Sequence, residues 1–324
     1  MFETEGEVRF MGVCIDGHVH VVEEGFWPQR WFDFAAEQWA HRGPNRQAGD
    51  IRDKIETGLV DPGAERLLQQ MDAAAIDNAV IFAVDWALGM DSDPAVPIEQ
   101  IHRRYAEIVA SNDRLFAFAG VDPRRPDAHD VVKEALDIHG FKGLKLYPPT
   151  GFFPHDEVVT PLYELCVERG VPVAVHTGAT LGLLRPRFSD PLYLQDVQRR
   201  FPGITLWIAH SGSPYWWDEA LAVAISGIDT YLELSSWEAL AYEDERTFVK
   251  RLEGAINTLG PERLLFASDH ISGERVRGLD SYRDWVTWFR ELPGTAKKYD
   301  AAITDEHVEL IIGGNAARCL GIDA

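Results

Sequence analysis

Short apolar runs alternate with longer helical patterns along the whole chain, and this rhythm constrains the fold more than any other feature. Eight runs read as strands, at 13–21, 78–86, 115–123, 143–149, 171–178, 204–212, 230–236 and 264–270. The segments between them carry helix punctuation. Asp61-Pro62, Thr160-Pro161, Asp190-Pro191 and Ser213-Pro214 each pair an N-cap residue with proline at the first helical position. Gly170, Gly227 and Gly260 fit helix C-termini. Ile98, Ile101, Tyr105, Ile108 and Val109 form one apolar stripe at helical spacing. Successive β–α units imply parallel strands joined by right-handed crossovers, and eight of them favour closure over an open doubly wound sheet. An open sheet calls for a phosphate loop after its first strand. Neither GxGxxG nor GxxxxGK followed by Ser or Thr occurs. The expected fold is an α/β (β/α)8 TIM barrel with an aromatic-rich insertion after strand 1 and a C-terminal helical tail.

A chain of 324 residues, 46% hydrophobic, can build that barrel as one domain spanning 1–324. The insertion, residues 21–60, reads as a long functional loop. It carries Phe26, Trp27, Trp31, Phe32, Trp39, Arg42, Arg46 and Arg52. It leaves the C-terminal end of strand 1, the side on which barrel active sites lie. The tail, roughly 304–320, is expected to pack on the outside of the barrel.

Lys and Arg total 31 against 52 Asp and Glu, a net charge of −21. That field disfavours nucleic acid and anionic membranes as partners, but not an anionic small molecule met by local arginines. Cys14, Cys166 and Cys319 form no CxxC pair, which suits a reducing, cytoplasmic setting. The acidic start "MFETEGEVRFMG" does not read as a secretory signal, and no apolar run is long enough to span a bilayer. The expected partner is a small-molecule substrate, and a homodimer is compatible with the composition.

The chemistry gathers at strand ends. In "CIDGHVH", strand alternation puts Asp16, His18 and His20 on one face. Strand 5 ends in His176, strand 6 in His210, and strand 8 in Asp269 and His270. Alternation aligns Ala174 with His176, Leu206 and Ile208 with His210, and Leu265 and Ala267 with Asp269. Inner faces of a closed barrel converge on its axis, so His18, His20, His176, His210 and Asp269 are expected to meet. One histidine at a strand end is ordinarily a satisfied polar residue; five groups converging read as a metal site. Imidazoles with a carboxylate suit Zn²⁺, and also Mn²⁺, Fe²⁺ or Co²⁺. Lys145 is expected inside the barrel with Gly143 and Tyr147, because Leu144 and Leu146 should face the helices. Asp16 is expected deeper, bracing the barrel floor or bonding a ligand imidazole. Glu233 shares an inner face with Tyr231 and Ser235, either behind the site or in a packing network. His270 should point away from the axis.

The motifs "IDGHVH", "VPVAVHTG", "WIAHSG" and "LLFASD", with Gly314-Asn315-Ala316 near the end, together resemble the amidohydrolase superfamily. The chain most resembles the branch containing aminocarboxymuconate semialdehyde decarboxylase and γ-resorcylate decarboxylase, over nearly its whole length. The resemblance implies metal ligands His18, His20, His176 and Asp269, with His210 catalytic beside the ion. Asp269 would serve as ligand and proton acceptor together. One divalent ion is implied, zinc foremost. A second ion bridged by carbamylated Lys145, as in two-metal members, is the alternative. Uncarbamylated, Lys145 would be a buried cation able to hold a substrate carboxylate. Further substrate-binding candidates are Tyr147, Trp86 and Trp237, with Arg52 standing about where the decarboxylases bring an arginine from the insertion. Arg185, Arg187 and Arg275 are loop arginines on the same side.

Two reactions fit this site. One is hydrolysis of a C–N or C–O bond (amide, cyclic imide, lactone or ester) by metal-activated water. The other is non-oxidative decarboxylation of an aromatic or dienoic acid. After strand 6 the chain reads "AHSGSPYWWDEAL". It lacks the arginine that follows a Gly-x-x-x-Pro pattern in the decarboxylases, which makes hydrolysis the expected class and decarboxylation the alternative.

Overall fold

A computed structural model describes residues 12–41, 46–271 and 280–322. Its strands are β1 (Ile15–His20), β2 (Asn78–Phe82), β3 (Leu115–Gly120), β4 (Gly143–Leu146), β5 (Val173–His176), β6 (Leu206–Ala209), β7 (Thr230–Glu233), β8 (Leu264–Leu265) and β9 (His270–Ile271). All pairings are parallel, in the order β8-β7-β6-β5-β4-β3-β2-β1-β9. The last two strands close the ring. β8 pairs with β7, β9 pairs with β1, and between them Gly17 N donates to Phe266 O (3.1 Å) and Asp269 N to His18 O (2.9 Å). The single strand expected at 264–270 is therefore two short ladders, broken where Asp269 adopts a left-handed φ of 56°. The fold is a (β/α)8 barrel with helices outside.

Barrel parity follows the sequence on most strands. Val80, Phe82, Phe118, Ala174, Trp207, Tyr231 and Leu265 form the inner cluster, while Leu144, Leu146, Val173, Val175 and Leu232 pack outward. Two strands depart from expectation. The register of β1 shifts between Asp16 and Val19. Ile15 joins the inner cluster and Asp16 turns outward to Ser268, so Asp16 does not share the histidines' face. Gly17 sits at this shift, where a Cβ would stand 3.1 Å from Phe266 O. In β6, Trp207 faces inward and Leu206 and Ile208 face outward, the reverse of the expected alignment with His210. His210 reaches the interior because the strand ends at Ala209 and the backbone turns left-handed, with φ 67° at His210 and 44° at Ser211.

The insertion is not a loop. It forms helices Gln29–Ala40 and Ala48–Leu59 and buries Trp27, Trp31, Phe32, Ala35 and Ala36. Arg42 lies outside the described residues, and Arg46 is exposed. The tail also differs from expectation. Ala316, Ala317 and Leu320 pack with Ile15, Trp207 and Tyr231 in the inner cluster, closing the barrel floor. Asn315 Nδ2 donates to Pro261 O (2.8 Å) and Leu264 O (2.7 Å), fastening the tail to the start of β8.

Of the four Xaa-Pro caps, Asp61 accepts from Arg66 N (2.9 Å) and Leu67 N (3.0 Å), and Asp190 from Leu192 N (2.9 Å). Thr160 opens helix Thr160–Arg169. Ser213 caps nothing: the next helix starts at Trp217, and the Ser213 hydroxyl donates to Ser236 O instead. The stripe on helix Ile98–Ser111 is buried at Ile98, Ile101, Tyr105 and Ile108, with Val109 half-buried beside it. Among the described residues, no helix is long and apolar enough to cross a membrane.

Candidate metal centre

The C-terminal end of the barrel collects its polar residues where the backbone is strained. His210, Ser211, Ser236 and Asp269, none of them glycine, hold positive φ at the ends of β6, β7 and the β8–β9 segment. Such conformations persist only where surrounding structure imposes them, and they concentrate at functional sites.

The tightest group is His18, His20 and Asp269. The Nε2 atoms of the two histidines are 3.0 Å apart, and Asp269 Oδ1 lies 3.4 Å from one and 3.3 Å from the other. Donors about 2.0–2.1 Å from one tetrahedral ion stand about 3.3 Å apart, so this spacing fits a single small cation. His20 Nδ1 donates to Phe82 O (2.9 Å), which leaves the Nε2 lone pair toward the cluster. His176 lies outside this trio. Its Nε2 donates to Ala179 O (3.2 Å), and its Nδ1 is buried without a partner. His18 Nδ1 is buried and unpartnered too. His18 Nδ1 faces Glu233 Oε2 at 3.6 Å, away from the trio, so the unsatisfied nitrogen that could join the three donors around a cation is Nδ1 of His176.

Burial holds the imidazoles of His18 and His176 well below the ordinary histidine range and lowers His210 to about 3, aided by neighbouring positive groups. These rings are neutral at neutral pH, the form that binds a metal. Burial by itself raises the Asp269 carboxyl. His210, His18 and the His20 hydrogen bond outweigh it and hold the group well below the usual carboxylate range. Ser236 Oγ donates to Asp269 Oδ2 at 3.3 Å.

Lys145 is inside the barrel, as its strand parity requires. Its Nζ lies 3.4 Å from His18 Nε2 and 5.0 Å from the Phe82 ring centre. Burial lowers its ammonium to about 8 against the pull of Asp269 and Glu233. Behind the cluster, His210 N donates to Glu233 Oε2 (2.6 Å) and His210 Nδ1 meets Ser235 Oγ (2.7 Å). Glu233 is wholly buried, which pushes its carboxyl up.

Aromatic rings complete the surround. The centres of successive rings run His20–Trp27 (6.3 Å), Trp27–Trp86 (5.5 Å), Trp86–Tyr147 (4.8 Å) and Tyr147–His176 (4.3 Å). They continue His176–His210 (4.6 Å), His210–His18 (5.0 Å) and His18–His20 (4.9 Å). This is a closed circuit, imidazole on one side and aromatic on the other. Tyr147 OH bonds Thr180 Oγ1 (2.8 Å), while the indole N–H of Trp86 and of Trp31 is buried without a partner.

Other expected residues stand elsewhere. Trp237 is buried behind His210, donating to its carbonyl (2.8 Å) and packing on Trp217 and Phe248. Arg52 is bound by Asp33, Glu56 and Gln29 within the insertion helices. Arg185 donates to Thr150 O (3.1 Å), Arg187 lies over Phe188, and Arg275 lies outside the described residues. Asp16 bonds no imidazole. It accepts from His18 N (3.1 Å) and from Ser268 N (3.0 Å) and Oγ, tying the strand of His18 to the segment of Asp269. His270 points away from the axis, stacked on Tyr282 and bonded to Gln70 (2.8 Å). Sequence reasoning missed Ser235 and Ser236 as partners of His210 and Asp269. Their only advance signal was the inner parity that Ser235 shares with Glu233.

The amidohydrolase family matches the chain over residues 15–322, and the protein belongs to that family. No curated protein matches it by sequence. Among solved structures, an uncharacterised TIM-barrel protein from Bordetella bronchiseptica is 20% identical, covering 95% of this chain and 98% of that one, with a TM-score of 0.67. The 2,6-dihydroxybenzoate decarboxylase from Rhizobium is 18% identical over 95% of this chain and 100% of its own, with a TM-score of 0.65. A dihydroxybenzoic acid decarboxylase from a Polaromonas species, solved with manganese and the inhibitor 2-nitroresorcinol, is 16% identical over 96% and 97%, with a TM-score of 0.63. The likeness is one of fold, sustained along both chains.

Proposed function

We propose that the protein is a divalent-metal-dependent decarboxylase of a hydroxylated aromatic acid. The observation that carries this reading is the ring circuit. Its imidazole half, with Asp269, offers a cation its ligands, and its aromatic half offers a flat substrate apolar walls. The shared fold with dihydroxybenzoate decarboxylases, one of them manganese-bound, supports it over the hydrolysis expected from sequence.

His18, His20 and Asp269 would hold the ion, with His176 offering its unpartnered Nδ1. When bound, the cation supplies Lewis acidity and charge neutralisation for substrate oxygens. The metal is manganese or zinc; the ligand set of imidazole and carboxylate accepts both. Asp269 is the group placed to move a proton. Its side chain is 34% exposed, whereas the histidines around it are buried. The proton comes from solvent: the exposed edge of the Asp269 carboxylate takes it up and hands it to carbon, returning to the anion. The proton goes to the ring carbon bearing the carboxylate, the C–C bond breaks with its electron pair returning to the ring, and CO₂ leaves. Lys145 stands as a buried cation for a substrate carboxylate or phenolate. Trp27, Trp86 and Tyr147 exclude water from the ring.

Manganese-loaded protein incubated in D₂O with 2,6-dihydroxybenzoate and related hydroxybenzoates should release CO₂ and leave one deuterium on the ring carbon. No CO₂ from these acids, together with ¹⁸O from water entering the product of an ester or lactone, would replace this reading with hydrolysis.

A further inference from the structure

We infer that the loop after β3, residues 122–125, is a tie that fixes the aromatic half of the ring circuit, Arg125 binding the turn that carries Trp86 and Arg124 the turn that carries Tyr147. Of strands β1 to β6, β3 alone contributes no ring to the circuit. Its loop sends one guanidinium to each neighbour instead. Toward β2, Arg125 Nη2 donates to Asp85 Oδ1 (3.0 Å), while Arg125 Nε and the amide of Asp122 (2.9 Å) donate to Asp85 Oδ2. Asp85 is the residue before Trp86. Toward β4, Arg124 Nη2 donates to Thr150 O (3.2 Å). Thr150 closes the turn that begins at Tyr147, its amide (3.1 Å) and its hydroxyl (2.9 Å) both donating to Tyr147 O. Arginine N–H groups and backbone amides only donate, so chemistry fixes the direction of every tie to Asp85 and Thr150.

The tie is itself held rigid. Arg124 Nε donates to Asp122 Oδ1 (2.8 Å) and Arg124 Nη2 to Asp122 Oδ2 (2.6 Å), a fork that fixes the plane of the guanidinium. Asp85 and Asp122 are both buried, so these pairs are not the solvated surface kind that contributes little. From the loop after β5, Arg185 Nη1 donates to the same Thr150 carbonyl (3.1 Å). The two turns also touch. A Cβ on Gly89, in the short helix Ala87–Met90 that follows Trp86, would stand 2.6 Å from Thr150 Cβ. Trp86 and Tyr147 thus meet, ring centres 4.8 Å apart, because their main chains are fastened to one loop. Arg124 and Arg125 act through the turns they bind and are positioning residues. The consequence is selectivity: an aromatic wall held this firmly cannot withdraw for a wider substrate, so the site favours a single-ring acid over a fused-ring one.

This inference rests on Trp86 and Tyr147 lining the site proposed above, but its first test needs no turnover. The variants Arg124→Lys and Arg125→Lys keep a positive charge beside each buried carboxylate and lose the planar fork. In protein labelled with 5-fluorotryptophan, with signals assigned through Trp86→Phe and Trp237→Phe, both variants should shift or broaden the ¹⁹F signal of Trp86 and leave that of Trp237 in place. Arg185→Ala, which removes only the second donor to Thr150 O from an exposed side chain, should do the same to a smaller extent and serves if the lysine variants fail to fold. With manganese-loaded protein, Arg124→Lys should raise KM for 2,6-dihydroxybenzoate and lower kcat/KM by up to about 100-fold, the scale of a 1 Å misplacement, with metal content unchanged. The fused-ring 1-hydroxy-2-naphthoate should lose less, narrowing the preference for the single ring. An unmoved Trp86 signal in all three variants overturns the inference, as does an equal proportional loss on the two acids. If the Trp86 signal moves but no aromatic acid is decarboxylated, the tie stands and the reading of function falls.

Discussion

The two ends of the barrel are built from different material. At the floor, Ile15, Trp207, Tyr231 and Leu265 close on Ala316, Ala317 and Leu320; Asn315 Nδ2 is bonded twice there, while Asn315 Oδ1 and Trp207 Nε1 are buried without a hydrogen-bond partner. At the mouth, carboxylates, imidazoles and a lysine crowd together, with His18 Nδ1 3.6 Å from Glu233 Oε2 and His176 Nδ1 without a hydrogen bond. The backbone differs in the same sense. Ala75 and Asp91 hold positive φ as C-caps of helices, an ordinary way to end one. His210, Ser236 and Asp269 hold it at strand ends, where it aims side chains inward. The floor is apolar and closed; what sets the mouth apart is its crowd of ionisable groups and its left-handed strand ends.

The largest expected effect separates the two ends directly. His18→Ala or Asp269→Asn should remove the metal, measured as metal per chain by elemental analysis, and lower kcat/KM by roughly 10³-fold or more, the scale on which one lost electrostatic donor acts. The folding midpoint should change little by comparison. Leu320→Ala should do the reverse, costing about 2–5 kcal/mol of stability in denaturant titration, as for a buried leucine truncated to alanine, with metal content intact. A floor substitution that empties the metal site, or a ligand substitution that only unfolds the chain, would erase the distinction between the ends.

How far the sequence carried this distinction can be traced residue by residue. The order of strands and the inward placement of His20, Lys145, His176 and Asp269 were legible because strand period is 2 and barrel topology is ordered. Asp16 and His210 were misaligned for one reason. A register shift in β1 and a left-handed turn after β6 each flip parity, and both are set by tertiary contacts such as Gly17 against Phe266 O. The helices of the insertion were legible in principle. Trp31 and Ala35, then Phe32 and Ala36, are spaced four apart and buried together. The tail's place was written in small residues, since Ala316 and Ala317 allow the close approach that seals the floor.

A middle-sized effect sharpens the comparison through a histidine that belongs to neither end. His102 is buried against β3, its Nε2 3.1 Å from both the N and the O of Gly120. Burial lowers it to about 3. In the unfolded chain it takes a proton near pH 6.5, and in the folded chain only near pH 3. The unfolded state thus binds more protons between these values, so stability falls as pH falls from 6.5 toward 3. At about 1.4 kcal/mol per pH unit, this one group removes about 2 kcal/mol by pH 5. His102→Gln, whose amide can pair with either the N or the O of Gly120, should flatten the loss between pH 7 and 5 by about that amount in denaturant titrations, with metal content unchanged. An unchanged slope would mean that other groups, the buried histidines of the mouth and His270 among them, govern acid stability.

The smallest expected effect concerns Arg52, and its smallness is informative. If an arginine of the insertion clamps a substrate carboxylate, removing it should raise KM steeply, because a bidentate pair of this kind is strong. The structure gives Arg52 other work. Its guanidinium is bound by Asp33 of the first insertion helix, Glu56 of the second and Gln29. Those partners hold its pKa up, chiefly through the Asp33 hydrogen bond, and occupy its donors. Ion pairs near the surface contribute about 0–1 kcal/mol. Arg52→Ala should therefore change KM less than about threefold and shift the folding midpoint only slightly, while Lys145→Met, which deletes the buried cation beside His18, should raise KM far more. Measuring both variants on one substrate decides between them: a large KM effect at Arg52 would mean the two insertion helices part to release it, and that the aromatic half of the ring circuit rearranges when substrate enters.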